Sequence, residues 1–217
     1  MLKLKLQQFA APGHTSAIRE ETFENLQLNA GIVLKNCDYS SVANAGALKT
    51  AISAAVAGTT GALGTLIGAT RGGGSFTVTR ELRVPEVDGR RYGFKGDTFV
   101  DSVEAQLSTT LIEMTPDNLV DAFGSATATT SGAKTTIKLG TEIDTDDYLT
   151  NICWVGDISD GRYVLICLKN ALNQADFSLT WTDKGEGTLP VEFHAKQAEV
   201  NDYDYAPFEI VYFSPAT

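Results

Sequence analysis

The chain has 217 residues, 43% of them hydrophobic, and 27 acidic against 17 basic side chains give it a formal net charge of −10. That length suits one domain with a real core, and that composition excludes a disordered chain. An acidic average surface disfavours partners held by counterion release, which removes duplex DNA, RNA and anionic lipid from the first rank of tightly bound ligands.

Residues 1–25 read as an arm of mixed polarity, with Pro12-Gly13 in its middle and no sustained period. Such arms are either loose or packed on a neighbouring subunit. Two lysines without a continuous apolar stretch behind them do not make a signal peptide. Leu26 to Lys35 reads as a first strand with Gly31 as a bulge. From Asp38 to Thr70 the chain is rich in Ala, Gly, Ser and Thr. Ala47 to Ala57 has the makings of a short helix there, without a convincing cap. A connection this long is often functional, and the sequence leaves open whether it is a mobile surface loop or an assembly contact. Its most apolar window, Ala43 to Ala69, is too interrupted to span a membrane.

Gly72, Gly73 and Gly74 read as a hinge or subunit contact opening into a long alternating strand. Phe76, Val78, Leu82 and Val84 point to one face, with Arg80 the exception, while Thr77, Thr79, Glu81 and Arg83 point to the other. One buried and one wet face are expected. Pro85 ends the ladder and Asp88-Gly89 supplies a turn. Asp101 to Met114 is a second alternating run: Val103, Ala105, Leu107 and Leu111 form its apolar side, and Ser102, Glu104, Gln106, Ser108 and Thr110 its polar side.

Thr115-Pro116-Asp117 begins a helix through a threonine cap, a proline suited to the first position and an aspartate opposing the dipole. Leu119, Val120 and Phe123 are its expected buried stripe, and Gly124 stops it. Ser125 to Lys134 reads as a loop and Thr135 to Leu139 as a short strand. Asn151 to Leu168 reads as a hairpin. A two-residue turn at Asp160-Gly161 would set Cys153 against Leu168 and Trp154 against Cys167, placing the two cysteines on opposite faces. Phe177 to Thr182, Leu189 to His194 and Phe208 to Phe213 supply three more strands. The sum is mainly β with one good helix, which argues for a sandwich or barrel.

Little in the chain advertises chemistry. The run GATRGGGS at Gly68 to Ser75 lacks the Lys-Ser/Thr ending of a phosphate loop and precedes a strand, so the helix-start amides that bind phosphate are missing. Glu142, Asp144, Asp146 and Asp147 could ligate calcium, but they lack the glycine and final glutamate of an EF-hand, and a solvated turn is the better reading. Asp202 and Asp204 read the same way. His14 and His194 are far apart, and neither has a cysteine at zinc-ligand spacing. Three cysteines without framework spacing, Cys37, Cys153 and Cys167, fit a reducing compartment. Trp154, Trp181, Tyr203 and Tyr205 could form a carbohydrate platform, although aromatic residues in strands are more often core. No cofactor, metal or catalytic residue is expected, and an enzyme is the least favoured class.

Several segments in series resemble the major tail tube proteins of long-tailed bacteriophages with non-contractile tails. They are LQLNAGIVLKNCD at Leu26 to Asp38, GATRGGGSFTVTRELRVPEVDGRR at Gly68 to Arg91 and KGDTFVDSVEAQLSTTLIEMT at Lys95 to Thr115. They continue with DDYLTNICWVGDISDGRYVLICLKNALN at Asp146 to Asn173, DKGEGTLPVEFHA at Asp183 to Ala195, and APFEIVYF near the end. The likeness covers most of the chain and rests on the series, since no single piece is diagnostic. The region 38–67 departs from it, being longer and richer in alanine.

The resemblance implies a single tail-tube domain over 1–217, a β-sandwich with a flanking helix similar to the tubes of contractile tails and type VI secretion. An appended immunoglobulin-like domain, present in some relatives, is not expected. It implies hexameric rings that stack into a tube, inner sheets joined as one continuous barrel, and genomic DNA passing through without specific binding. It also implies tail terminator, tape measure and distal tail proteins as partners, no membrane, assembly in host cytoplasm and a place in the virion tail. Thr77, Thr79, Glu81, Ser102, Glu104, Gln106, Ser108 and Thr110 are then the expected lumen-lining residues. The alternative is that they form the outer solvent face. The arm and the 38–70 connection are the expected contacts between rings. The rival from another class is a monomeric β-sandwich binding module, such as a receptor-binding or decoration protein, with a ligand pocket near Trp181.

Overall fold

The computed structural model describes residues 20–27, 29–59, 63–199 and 204–215. Among these residues ten strands carry the fold: β1 (Ile32–Lys35), β2 (Thr65–Leu66), β3 (Thr70–Arg83), β4 (Phe99–Leu111), β5 (Ala126–Ser131), β6 (Lys134–Leu139), β7 (Leu149–Asp157), β8 (Tyr163–Asn173), β9 (Leu189–His194) and β10 (Phe208–Phe213). Two α-helices accompany them, α1 (Ala45–Val56) and α2 (Pro116–Phe123). Eight strands run in the order β2-β1-β7-β8-β9-β4-β3, with β10 also paired to β8, and β5 with β6 forms a separate hairpin.

Strand β8 belongs to both halves of the large sheet. It pairs with β7 along one edge; along the other it pairs with β10 over Tyr163–Leu168 and with β9 at Leu172 and Asn173. Asn170, with φ +46°, lies between those two pairings. The halves pack face to face. Val33, Ile152, Leu168 and Ala171 from one meet Leu107, Leu111, Leu189, Val191 and Phe193 from the other in a shared core. The fold is therefore mainly β, a sandwich with helices on its flanks, as the sequence indicates.

Strands β1, β7 and β8 are buried on both faces, which explains their near-continuous apolar sequences. Leu34, Cys153, Val155, Leu165 and Cys167 point away from the shared core and pack against Ala45, Leu48 and Ala55 of α1. The described part of the Ala-rich 38–70 region is thus more than a surface loop. It contains α1, which starts two residues before the expected Ala47 and, against expectation, is capped: Asn44 Oδ1 accepts a hydrogen bond from the Ala47 amide at 2.9 Å. It also contains β2, which pairs with β1.

The β7–β8 register corrects the expected one. Cys153 stands opposite Cys167, and Trp154 opposite Ile166. The Ile158 amide donates to the Arg162 carbonyl and the Gly161 amide to the Ile158 carbonyl, so the tip has three residues, with Gly161 left-handed at φ +71°. A three-residue tip in place of a two-residue turn slips the pairing by one and moves Cys167 onto the face of Cys153.

Other expectations shift for local reasons. Gly31 is no bulge: it precedes β1 with φ +75°, and a Cβ there would lie 2.5 Å from the Trp154 indole nitrogen. Phe177 to Thr182 makes no strand and contributes only an isolated bridge between Thr180 and Thr188. Phe177 instead stacks on Phe123, with centroids 3.9 Å apart. The segment read as a loop from Ser125 is half strand, since Gly132 (φ +62°) and Ala133 close a two-residue hairpin between Ser131 and Lys134. Helix α2 starts and stops as expected, capped by Thr115 and ended by left-handed Gly124. Its fully buried residues, however, are Asn118 and Ala122, with Leu119, Val120 and Phe123 only half-buried. Asn118 is tolerated inside because its Nδ2 donates to the Ile67 and Glu113 carbonyls at 2.7 and 3.0 Å.

Of the expected arm, residues 1–19 lie outside the described residues. Glu20–Asn25 forms a 3₁₀ turn that returns to its own chain at the β7–β8 tip, where Ser159 donates to the Phe23 carbonyl and Arg162 to the Glu24 carbonyl.

Candidate functional site

The outer face of the β9-β4-β3 layer is where the expected residues gather. In the β3–β4 ladder Thr77 opposes Gln106, Thr79 opposes Glu104, and Glu81 opposes Ser102. Directly opposed residues share a face of an antiparallel sheet. Ser108 lies opposite Ser75 in β3, and Thr110 opposite Pro190 in β9. All eight expected residues therefore lie on one side. Ala105, Leu107, Thr109 and Leu111 alternate with them and are buried.

Strand β9 extends this face with two residues that sequence reasoning missed. His194 opposes Gln106, and Glu192 opposes Ser108. The alternation of Leu189, Val191 and Phe193 with Pro190, Glu192 and His194 was visible in the sequence. That β9 neighbours β4 was not. On the face the carboxylates find local partners. His194 Nδ1 lies 2.9 Å from Glu104 and Nε2 2.9 Å from Glu192, while Ser102 donates to Glu81 at 3.0 Å. The eight residues with Ser75, Glu192 and His194 include no Lys, Arg, Phe, Tyr or Trp; at the distal end of the same face Arg83 stands opposite Phe99 and pairs with Asp101 at 3.0 Å, so the one cation there is already matched to a carboxylate.

The opposite face of the same hairpin contradicts the expected burial. Strand β9 ends opposite Gln106, so β4 before that point has only β3 beside it. Phe76 still packs against the shared core, but beyond it the ribbon leaves the body of the sandwich. Leu82 is 56% exposed and Val100, directly opposite, 54%; Val78 and Val103 are uncovered too. The periodicity correctly marked an apolar face. Within one chain nothing described lies over its distal half.

The tip beyond this ribbon is held by Arg90. Its guanidinium donates to the Pro85 and Tyr92 carbonyls at 3.0 Å and pairs with Asp97. Asp97 also accepts from the Phe94 amide at 2.7 Å, and this bond, with help from Thr98 and Arg90, draws its carboxyl below the ordinary range. The tip so fixed presents Tyr92 and Phe94, 79% and 67% exposed.

At the other end of the ribbon, Gly72, Gly73 and Gly74 lie inside β3 and not ahead of it. Thr70 pairs with Leu111 and Gly74 with Thr109, so two extra residues bulge out of β3. Gly72 and Gly73 take φ +79° and +78°, which other residues rarely adopt. Beside this bulge a cleft of about 240 Å³ opens between the sheets, lined by Val33, Phe76, Leu107, Trp154 and Ile166 among others. Trp181, where a binding module would have its pocket, is not in that cleft.

The acidic turn exposes Glu142, Asp144 and Asp146, while Asp147 is half-buried and spends one oxygen on the Asp144 amide. Among the described residues no group of three or more His, Cys, Asp or Glu side chains is placed to hold a metal ion. Among the same residues no helix is long and apolar enough to cross a membrane. No protein-family model and no curated protein matches the chain.

Proposed function

We propose that the chain is a structural subunit of a phage tail tube: six copies form a ring, rings stack, and genomic DNA passes along the bore into the host. The particle would be of the long-tailed, non-contractile kind, and the subunit a component of its virion. The observation that carries this reading is the β3–β4 ribbon. One face is polar and bears Glu81, Glu104 and Glu192, with Arg83 and Phe99 at its distal end, and the other is apolar and uncovered by any described residue over its distal half. A large apolar surface left open on a folded subunit marks a contact with another protein. Strand β3 also ends the sheet order, so its outer edge has no neighbour among the described strands. Closing such edges around a ring removes an aggregation hazard.

In this arrangement the apolar side of the ribbon packs on a neighbouring copy. The face bearing Thr77, Thr79, Glu81, Ser102, Glu104, Gln106, Ser108 and Thr110 turns to the lumen, where a wall that neutralises no phosphates lets DNA slide. Negative-stain microscopy with sedimentation velocity on the purified protein tests the reading. Rings or tubes are expected. A monomer at every concentration would favour a solitary β-sandwich binding module instead.

A further inference from the structure

Three thiols meet in the layer between α1 and the sheet. Cys37, Cys153 and Cys167 are each no more than 1% exposed. All three belong to one buried cluster with Leu34, Val155 and Leu165, and Tyr39 packs against it from the surface side. Cys153 and Cys167 are not merely near: they are direct cross-strand partners in β7 and β8. Opposed residues of an antiparallel pair have Cα atoms about 4.5–5.5 Å apart, within the span of about 4.4–6.8 Å that a disulfide bridges. Cys37 lies past the end of β1, its amide on the Asn151 carbonyl at 3.4 Å, and so meets Cys153 across a diagonal.

We propose that Cys153 and Cys167 form an oxidisable dithiol, joined by a peroxide into a cross-strand disulfide that leaves Cys37 as a free thiol. The two sulfurs have unequal roles. The Cys153 thiol beside it holds the Cys167 thiol below its ordinary range against the effect of burial, whereas Cys153 is pushed up. Cys167, as thiolate, attacks one peroxide oxygen; the O–O bond breaks, a sulfenic acid forms and hydroxide leaves. Cys153 gives its proton to that hydroxide, its sulfur attacks the sulfenic sulfur, and the S–O bond breaks. Hydroxide leaves again and takes up the proton that Cys167 first released. Two S–H groups and one hydrogen peroxide become one S–S bond and two waters. Because the pair is buried, the rate follows local opening under α1 and not surface access. The proposal stands independently of any assembly.

The test exposes the full chain to hydrogen peroxide under native conditions, quenches it, then alkylates in denaturant and maps the peptides. The expected product is lighter by two hydrogens, carries a single alkyl group on Cys37, and contains a Cys153–Cys167 linked peptide. Its Tm rises by about 5–10 °C, and a phosphine reductant reverses the rise. Cys37→Ser should give the same linkage and the same rise, and Cys153→Ala should give neither. The proposal is overturned by three alkylatable thiols after treatment, by sulfinic or sulfonic acid in place of the link, or by a link through Cys37 or to a second chain.

Discussion

Thr77 lies directly opposite Gln106 in the β3–β4 ladder, and His194 flanks Gln106 from the other side. That one row fixes the parity of three strands, so the hydroxyls, amide and carboxylates of the layer share a face. If this face is the wall of a conduit, its scarcity of cations, with Arg83 at the distal end paired to Asp101, is a functional property and not an accident of composition.

Thr77→Lys combined with Gln106→Lys should therefore leave assembly intact while making tubes retain duplex DNA. Filter binding at low ionic strength should find retention in the variant that fades steeply with added salt, and none in the parent tubes. A tube reconstruction with these side chains at the outer radius would refute the lumenal assignment.

The uncovered apolar half of the ribbon predicts a separation of folding from assembly. Val78→Asp with Leu82→Asp changes exposed side chains, so monomer stability should move by only about 0.5 kcal/mol per site. Rings should disappear, because two charges would have to be desolvated in each contact. Thermal unfolding and sedimentation velocity read the two effects separately.

The Arg90 tip should depend on acid in one direction. Asp97 has a folded value below its ordinary 3.8, so the order it confers is fully present above pH 3.8 and is lost as pH falls through the lowered value. Limited proteolysis near Tyr92 should stay slow down to that range and then accelerate. Arg90→Ala should show fast cleavage already at neutral pH.

Lys35 in β1 and Asp121 in α2 form a nearly buried pair at 2.5 Å, with side chains 11% and 10% exposed. Lys35→Met alone leaves a buried carboxylate without its cation and should cost about 3–5 kcal/mol. Adding Asp121→Leu should recover most of that loss. Urea denaturation of the two singles and the double gives the coupling directly.

Trp154 is wedged between two glycines. A Cβ at Gly31 would come 2.5 Å from its indole nitrogen, and one at Gly156 2.2 Å from its ring. The indole N–H donates to the Ala30 carbonyl at 2.8 Å. Gly156→Ala should cost about 1–3 kcal/mol through overpacking and shift the Trp154 emission as the ring is displaced. Gly31→Ala should cost more, since its φ of +75° adds backbone strain.

Local chemistry was legible in the chain itself. Thr115, Pro116 and Gly124 bounded α2, the period of two assigned the two sides of β3 and β4, and the apolar runs between Asn151 and Leu168 announced the β7–β8 hairpin. These signals act over a few residues, so no fold is needed to interpret them. What the tertiary structure alone decided was adjacency and extent. Cys153 and Cys167 came together because the β7–β8 tip has three residues, a choice made by hydrogen bonds among Ile158, Gly161 and Arg162. Glu192 and His194 joined the polar face because β9 lies beside β4. No described residue covers the distal apolar side of Val78 and Leu82, where the ribbon runs on past the end of β9 opposite Gln106. Periodicity tells a residue which way to point, but only the neighbouring strands determine whether anything is there to meet it.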